Sequence, residues 1–182
     1  MLIVNKLIAQ GRGLARTLLE RAATVELDWN VRRKSRFDAV DSRGRGLGVF
    51  LPRGSVVRGG DVLVAEDGSL VCVRATQQRV MRVTHCREHG SAFDLMRAAY
   101  HLGNRHVELD LRSEHLSLEP DHVLADMLRQ MHLIVTELDA PFEPEAGAYA
   151  SADQGRPGAH GHDHSHEDGH GHGHGPDCGH DH

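Results

Sequence analysis

Histidine is the residue type best placed to do chemistry in this sequence. Of its 16 histidines, nine fall between positions 160 and 182: His160, His162, His164, His166, His170, His172, His174, His180 and His182. Neutral imidazole is a favoured ligand of nickel, copper, zinc and cobalt, and alternation with Gly, Ser and Asp leaves the backbone free to wrap several rings around one ion. A purification tag would be an uninterrupted run without the interleaved Asp163 and Asp168, and a pH-sensitive solubilising tail is the other ordinary explanation. Composition does not choose the metal, because the Irving–Williams order favours copper over nickel at almost any such site. Cys178 stands beside His180, where its thiolate would suit a soft or borderline ion or be a spectator.

Outside the tail, candidate ligands are fewer and each has a plain structural alternative. His106 ends the stretch Tyr100-His101-Leu102-Gly103-Asn104-Arg105-His106, at the junction between an expected helix and an expected strand. Taken alone it reads as an ordinary half-buried histidine, and one histidine makes a poor metal site. Symmetry would change that, since two copies meeting across a two-fold axis supply the ligand twice. His101, on the last turn of the helix, either satisfies helix C-terminal carbonyls or binds metal. His122, just after Pro120, is a further candidate. His85-Cys86-Arg87-Glu88-His89 gathers three donors in a spacing that matches no standard structural zinc motif without a second ligand pair. Cys86 and Cys72 both read as small buried residues, the first at a strand end and the second between Val71 and Val73. The basic run Arg32-Arg33-Lys34-Ser35-Arg36 reads as a solvated strand or turn, with docking of an acidic partner as the lesser alternative.

The elements that must position these residues can be read from pattern. Up to about Ala75 the signals are short and β-like, at Leu2 to Val4, Thr24 to Trp29, Gly48 to Leu51, Asp61 to Val64 and Leu70 to Val73, with turn pairs such as Gly59-Gly60 and Asp67-Gly68 between the later ones. The piece Gly13 to Ala22 allows a helical turn. After Gln77 the expected order is strand (80–84), helix (91–102), strand (107–111), strand (115–118), helix (121–131) and strand (133–138). The first helix has a capping-box start at Ser91 and Asp94, an apolar face of Phe93, Met96 and Tyr100, and Gly103 as a left-handed cap. The second has one stripe of Val123, Leu124, Met127, Leu128 and Met131. The fold class is therefore α+β: a small all-β domain over 1–76, a ferredoxin-like βαββαβ domain over 77–150, and a tail over 151–182 too poor in apolar side chains to offset the entropy of ordering.

Composition narrows the function. The formal charge of the 182 residues is −5, and residues 151–182 hold six acidic side chains against Arg156 alone, so the rest balances at twenty acidic and twenty basic. A balanced surface gives no field to hold nucleic acid. Three scattered cysteines do not make a disulfide framework, no secretion signal opens the chain, and no apolar run approaches the roughly 20 residues that cross a bilayer. The expectation is a cytoplasmic protein without membrane partners. His-Glu-x-x-His, Gly-x-Ser-x-Gly and the phosphate-cradling Gly-x-x-x-x-Gly-Lys-Ser/Thr are all missing, so the chain is expected not to be an enzyme.

Three runs carry a family resemblance: Arg97 to His106 (Arg-Ala-Ala-Tyr-His-Leu-Gly-Asn-Arg-His), Asp121 to Arg129 (Asp-His-Val-Leu-Ala-Asp-Met-Leu-Arg) and Pro141 to Ala150 (Pro-Phe-Glu-Pro-Glu-Ala-Gly-Ala-Tyr-Ala). They resemble UreE, the family of nickel metallochaperones of urease maturation. The N-terminal part is similar only loosely, through segments such as Gly60-Asp61-Val62-Leu63. The resemblance implies a homodimer formed through the C-terminal domains with His106 paired across the interface. It implies Ni2+ as cargo, with Zn2+ or Cu2+ as possible substitutes in vitro. Apo-urease and its accessory proteins, including their GTPase, are the implied partners, and the β domain is the implied partner or peptide contact. Some members carry a further site of two histidines one residue apart at the start of the second helix; here Pro120 replaces the first, leaving His122. Protonation of imidazole, with a reference pKa of about 6.5, should loosen such metal as pH falls. A passive nickel or zinc buffer, or a peptide-binding assembly module, are the alternatives from other classes.

Overall fold

The computed structural model describes residues 1–146, and residues 1–145 form one compact unit built on two sheets. The histidine-rich positions from His160 to His182, with Cys178, lie outside the described residues.

The first half is mainly strand: β1 (Leu2–Ile8), β2 (Ala23–Leu27), β3 (Arg36–Val40), β4 (Gly46–Phe50), β5 (Val62–Ala65) and β6 (Leu70–Ala75). They make a mixed six-stranded sheet in the order β2-β6-β5-β1-β4-β3, with β1/β4 and β2/β6 parallel. Val4, Val25, Leu47, Val49, Leu63, Val71 and Val73 fill its core. Two short helices stand among the strands: α1 (Arg16–Arg21), inside the piece Gly13 to Ala22 that allows a helical turn, and α2 (Trp29–Arg32), where a strand is expected. Asp28 caps α2 by accepting from the Val31 N–H at 2.8 Å, which turns Trp29 out of the strand and into the helix.

The second half contains β7 (Gln77–His85), α3 (Ala92–Gly103), β8 (Asp110–Leu111), β9 (Leu116–Leu118), α4 (His122–Gln130) and β10 (Leu133–Pro141). Its sheet is antiparallel throughout, in the order β10-β7-β9-β8. The β7–β10 ladder runs from Leu133 opposite His85 to Pro141 opposite Gln77. Both helices pack on one face, where Leu95, Ala98, Leu102, Ala125 and Leu128 meet Met81, Val83, Leu116 and Leu118. The first strand after α3 is much shorter than the period-2 run Val107, Leu109, Leu111 suggests. Its partner β9 has only three residues, and the Leu109 carbonyl instead accepts from the Glu145 N–H at 2.7 Å.

Two side-chain assignments differ from the sequence reading. The apolar face of α3 that enters the core is Leu95, Ala98 and Leu102, whereas Phe93, Met96 and Tyr100 are 61%, 61% and 67% exposed. The helix is therefore apolar on two sides. The basic run is not uniformly solvated either: Arg32 is fully buried. Its guanidinium donates to the Leu27 carbonyl at 3.1 Å, the Phe142 carbonyl at 2.6 Å and Glu143 Oε1 at 2.8 Å, which is the partner set a buried charge requires. Trp29 and Phe142 pack edge to face beside it with Val80 and Ala140. Trp29 Nε1 donates to Glu108 at 2.6 Å. This cluster joins the two sheets, so the chain stays ordered past Pro141, where sequence periodicity ends. Among the described residues no helix is long and apolar enough to cross a membrane.

Candidate functional site

The end of α3 is held by a capping arrangement that the sequence does not reveal. Asp94 accepts from the Ser91 N–H at 2.8 Å and from the Ser91 hydroxyl at 3.1 Å, as the Ser-x-x-Asp spacing predicts. These bonds hold the Asp94 carboxyl below its usual pKa range. At the other end, the Val107 N–H bonds the Leu102 carbonyl at 3.1 Å and the His106 N–H bonds the Gly103 carbonyl at 2.9 Å. That pair of bonds is a Schellman motif, and its left-handed position, normally glycine, is His106 at φ 57°. The expected left-handed cap at Gly103 is thus replaced: Gly103 lies within the helix and Asn104 is right-handed. Val107 and Leu102, the two ends of the motif, share the same core cluster, and their contact fixes the direction in which His106 leaves the helix.

His106 is exposed, at the end of the helix whose exposed stripe is Phe93, Met96 and Tyr100. His101 is half-buried, with its ring edge-on to Tyr100 at 5.5 Å between centroids, and its carbonyl accepts from Arg105. His122 is exposed in the first turn of α4. Asp121 caps that helix by accepting from Val123 and Leu124, so Pro120 precedes the cap. Among the described residues no three His, Cys, Asp or Glu side chains of one chain converge to hold a metal ion. His106, His101 and His122 accordingly do not make such a group within one chain.

A cavity at the opposite end of α3 has several donor side chains along its wall, without bringing three of them together. His85, Cys86, His89 and His132 line one cavity of about 490 Å³ together with Arg97 and the Ser91-bonded Asp94. Cys86 is not the buried strand-end residue expected; it is half-exposed, with Sγ 3.9 Å from His89 Nδ1. That contact, aided by nearby backbone N–H groups, lowers its thiol pKa to about 7. Cys72, also expected to be buried, is likewise only half-buried, but its partial desolvation pushes its thiol pKa up. His132 was absent from the sequence reading. The register that puts Leu133 opposite His85 brings it here, and the strand order of a βαββαβ unit was the available signal.

The sequence that builds these two sheets matches two adjoining family models. The UreE urease accessory protein N-terminal domain covers residues 4–76. The UreE urease accessory protein C-terminal domain covers residues 78–182. The architecture is thus that of a two-domain accessory protein. Curated relatives give the same answer at high identity. A urease accessory protein UreE of Methylibium petroleiphilum is 76% identical over 84% of this chain and 70% of its own length. One of Paracidovorax citrulli is 74% identical over 83% of this chain and 72% of its own. One of Albidiferax ferrireducens is 70% identical over 83% and 87%. The chain belongs to the UreE family of urease accessory proteins, and its role lies in urease maturation.

Proposed function

We propose that the chain is a cytoplasmic nickel metallochaperone that works as a homodimer, collecting Ni2+ on its histidine tail and presenting it at paired His106 side chains for transfer to apo-urease. The observation that carries this reading is the placement of His106. It is exposed, pinned in a left-handed cap, and follows the helix that exposes Phe93, Met96 and Tyr100, three apolar side chains with no use in the core of one chain. Exposed large apolar side chains lying together mark an interaction surface. A two-fold contact along that stripe would bring two copies of His106 together, giving the second ligand that one chain does not supply. Imidazole nitrogen suits nickel as well as zinc or copper.

The strand order β10-β7-β9-β8, with both helices on one face, supports reading 77–150 as a ferredoxin-like dimerisation domain. Residues 1–76 then form a domain for contact with urease or its accessory proteins, including the GTPase, and 151–182 the metal-gathering tail. Ligand exchange is the whole mechanism: several exposed tail ligands load quickly, and a symmetric pair of histidines holds the ion in a defined place for hand-over. His101, half-buried beside Tyr100, and His122, on the other helix, serve as secondary donors.

A passive buffer would need only the tail. Urease activation in nickel-limited cells separates the two. The chaperone reading predicts that His106→Ala lowers urease activity more than deletion of residues 151–182 does. The reverse order, with His106→Ala silent, would leave a buffer.

A further inference from the structure

We propose that the loop between β7 and α3 forms a separate zinc site, with Cys86 and His89 as its anchoring ligands and His85 or His132 completing it. The site owes nothing to His106 or to a second copy of the chain.

Four observations on the loop and its surroundings support it. The first is a paired thiol and imidazole at Cys-x-x-His spacing, with Sγ and Nδ1 3.9 Å apart. Bonds of about 2.3 Å to sulfur and about 2.1 Å to nitrogen on a tetrahedral zinc place the two donors roughly 3.6 Å apart, so the pair is within a few tenths of an ångström of ligation. The second is the loop that creates the pair. The Gly90 N–H bonds the Cys86 carbonyl at 2.8 Å. A Cβ at Gly90 would fall 2.8 Å from that carbonyl oxygen and 2.9 Å from the Cys86 nitrogen. Only glycine closes the loop tightly enough to fold His89 back over Cys86.

The third is the state of His85. Its Nδ1 lies 3.0 Å from the Cys86 carbonyl oxygen, and a carbonyl only accepts. In that contact Nδ1 can only be the donor, which in a neutral imidazole leaves Nε2 as the nitrogen able to bind metal. Metal-binding histidines usually show this arrangement, donating their other nitrogen to a carbonyl or carboxylate. The fourth is His132, delivered to the same cavity by the β7–β10 register from the end of α4, with a left-handed backbone at φ 61°. As the chain stands no three donors converge, so binding requires one imidazole on the cavity wall to rotate inward. On binding, the Cys86 S–H bond breaks, a sulfur–zinc bond forms, and one proton passes to solvent. A thiolate with two imidazoles is a donor set that zinc favours.

The test is a cobalt(II) titration of the full chain, with optical absorption as the readout. Thiolate ligation gives a near-ultraviolet sulfur-to-cobalt charge-transfer band, and zinc should displace it. The band is expected in the wild type, in His106→Ala and in Cys178→Ser, and to be lost in Cys86→Ser and His89→Gln. Gly90→Ala keeps every ligand but opens the loop, and should weaken cobalt binding roughly 10- to 100-fold, the range seen when the support of a ligand is removed. If Cys86→Ser does not fold, zinc protection of Cys86 against iodoacetamide in the wild type, read by peptide mass mapping, replaces it. No band, a band that survives Cys86→Ser, a band lost in Cys178→Ser, or Cys86 alkylated equally with and without zinc would each overturn the proposal. Loss of the band in His106→Ala would show that the site is not independent, and would overturn it as stated.

Discussion

Replacing His106 by glycine should stabilise the metal-free protein while removing its proposed ligand. At φ 57° the His106 backbone is in a region that costs a non-glycine residue roughly 1–2 kcal/mol. Glycine removes that cost but has more freedom to lose on folding, worth roughly 0.5–1 kcal/mol. Taken at the middle of the two ranges, the net gain is about 0.75 kcal/mol. For a chain of this size that is a rise in melting temperature of roughly 1–4 °C. Alanine at the same position retains the left-handed penalty and should leave stability near that of the wild type. The assay is urea and thermal unfolding of wild type, His106→Gly and His106→Ala, all with chelator and at one protein concentration. If His106→Gly is no more stable than His106→Ala, the backbone is not strained, and the account of why this histidine points where it does is wrong.

Other consequences follow from the same geometry. Arg32→Ala removes a fully buried guanidinium that holds Leu27, Phe142 and Glu143 together. Breaking such a set should cost about 3–5 kcal/mol, measured by urea unfolding; a loss under about 1 kcal/mol, as for a surface pair, would contradict the burial. Iodoacetamide should modify Cys86 with a pH midpoint of about 7, because its thiolate is stabilised first by His89. Cys72, raised by burial, should react slowly until well above that pH, and equal rates at neutral pH would refute the difference. His115 is held below the ordinary histidine pKa, first by burial and then by Arg82. The unfolded chain therefore binds more protons than the folded one as pH falls below the unfolded value of about 6.5, and stability declines with it. His115→Gln should flatten that decline; an unchanged slope between neutral and mildly acidic pH would contradict it.

Local signals were legible where local chemistry decides the outcome. Ser91 and Asp94 start α3, Asp121 starts α4, and the strand–helix–strand–strand–helix–strand order follows from periodicity and turn residues. The misreadings come from long-range contacts. Phe93, Met96 and Tyr100 have the spacing of a core stripe, but so do Leu95, Ala98 and Leu102, and only the sheet beneath decides which row is covered. Arg32 belongs to a charged run, and its burial depends on Glu143 and the Phe142 carbonyl, more than a hundred positions away in the chain. Gly103 looked like the left-handed cap because glycine favours that conformation; the Leu102–Val107 contact sets the cap three residues later, on His106. His132 comes to the cavity that Cys86 lines only through strand register, so no spacing near Cys86 announces it.

His106 is proposed as one half of a symmetric nickel site. Calorimetric titration of nickel into the chain ending at Ala150, with oligomeric state recorded in parallel, tests it most directly. The account predicts one tightly bound ion per dimer, absent in His106→Ala with the dimer retained. No tight nickel binding without the tail, or binding unchanged by His106→Ala, would contradict it.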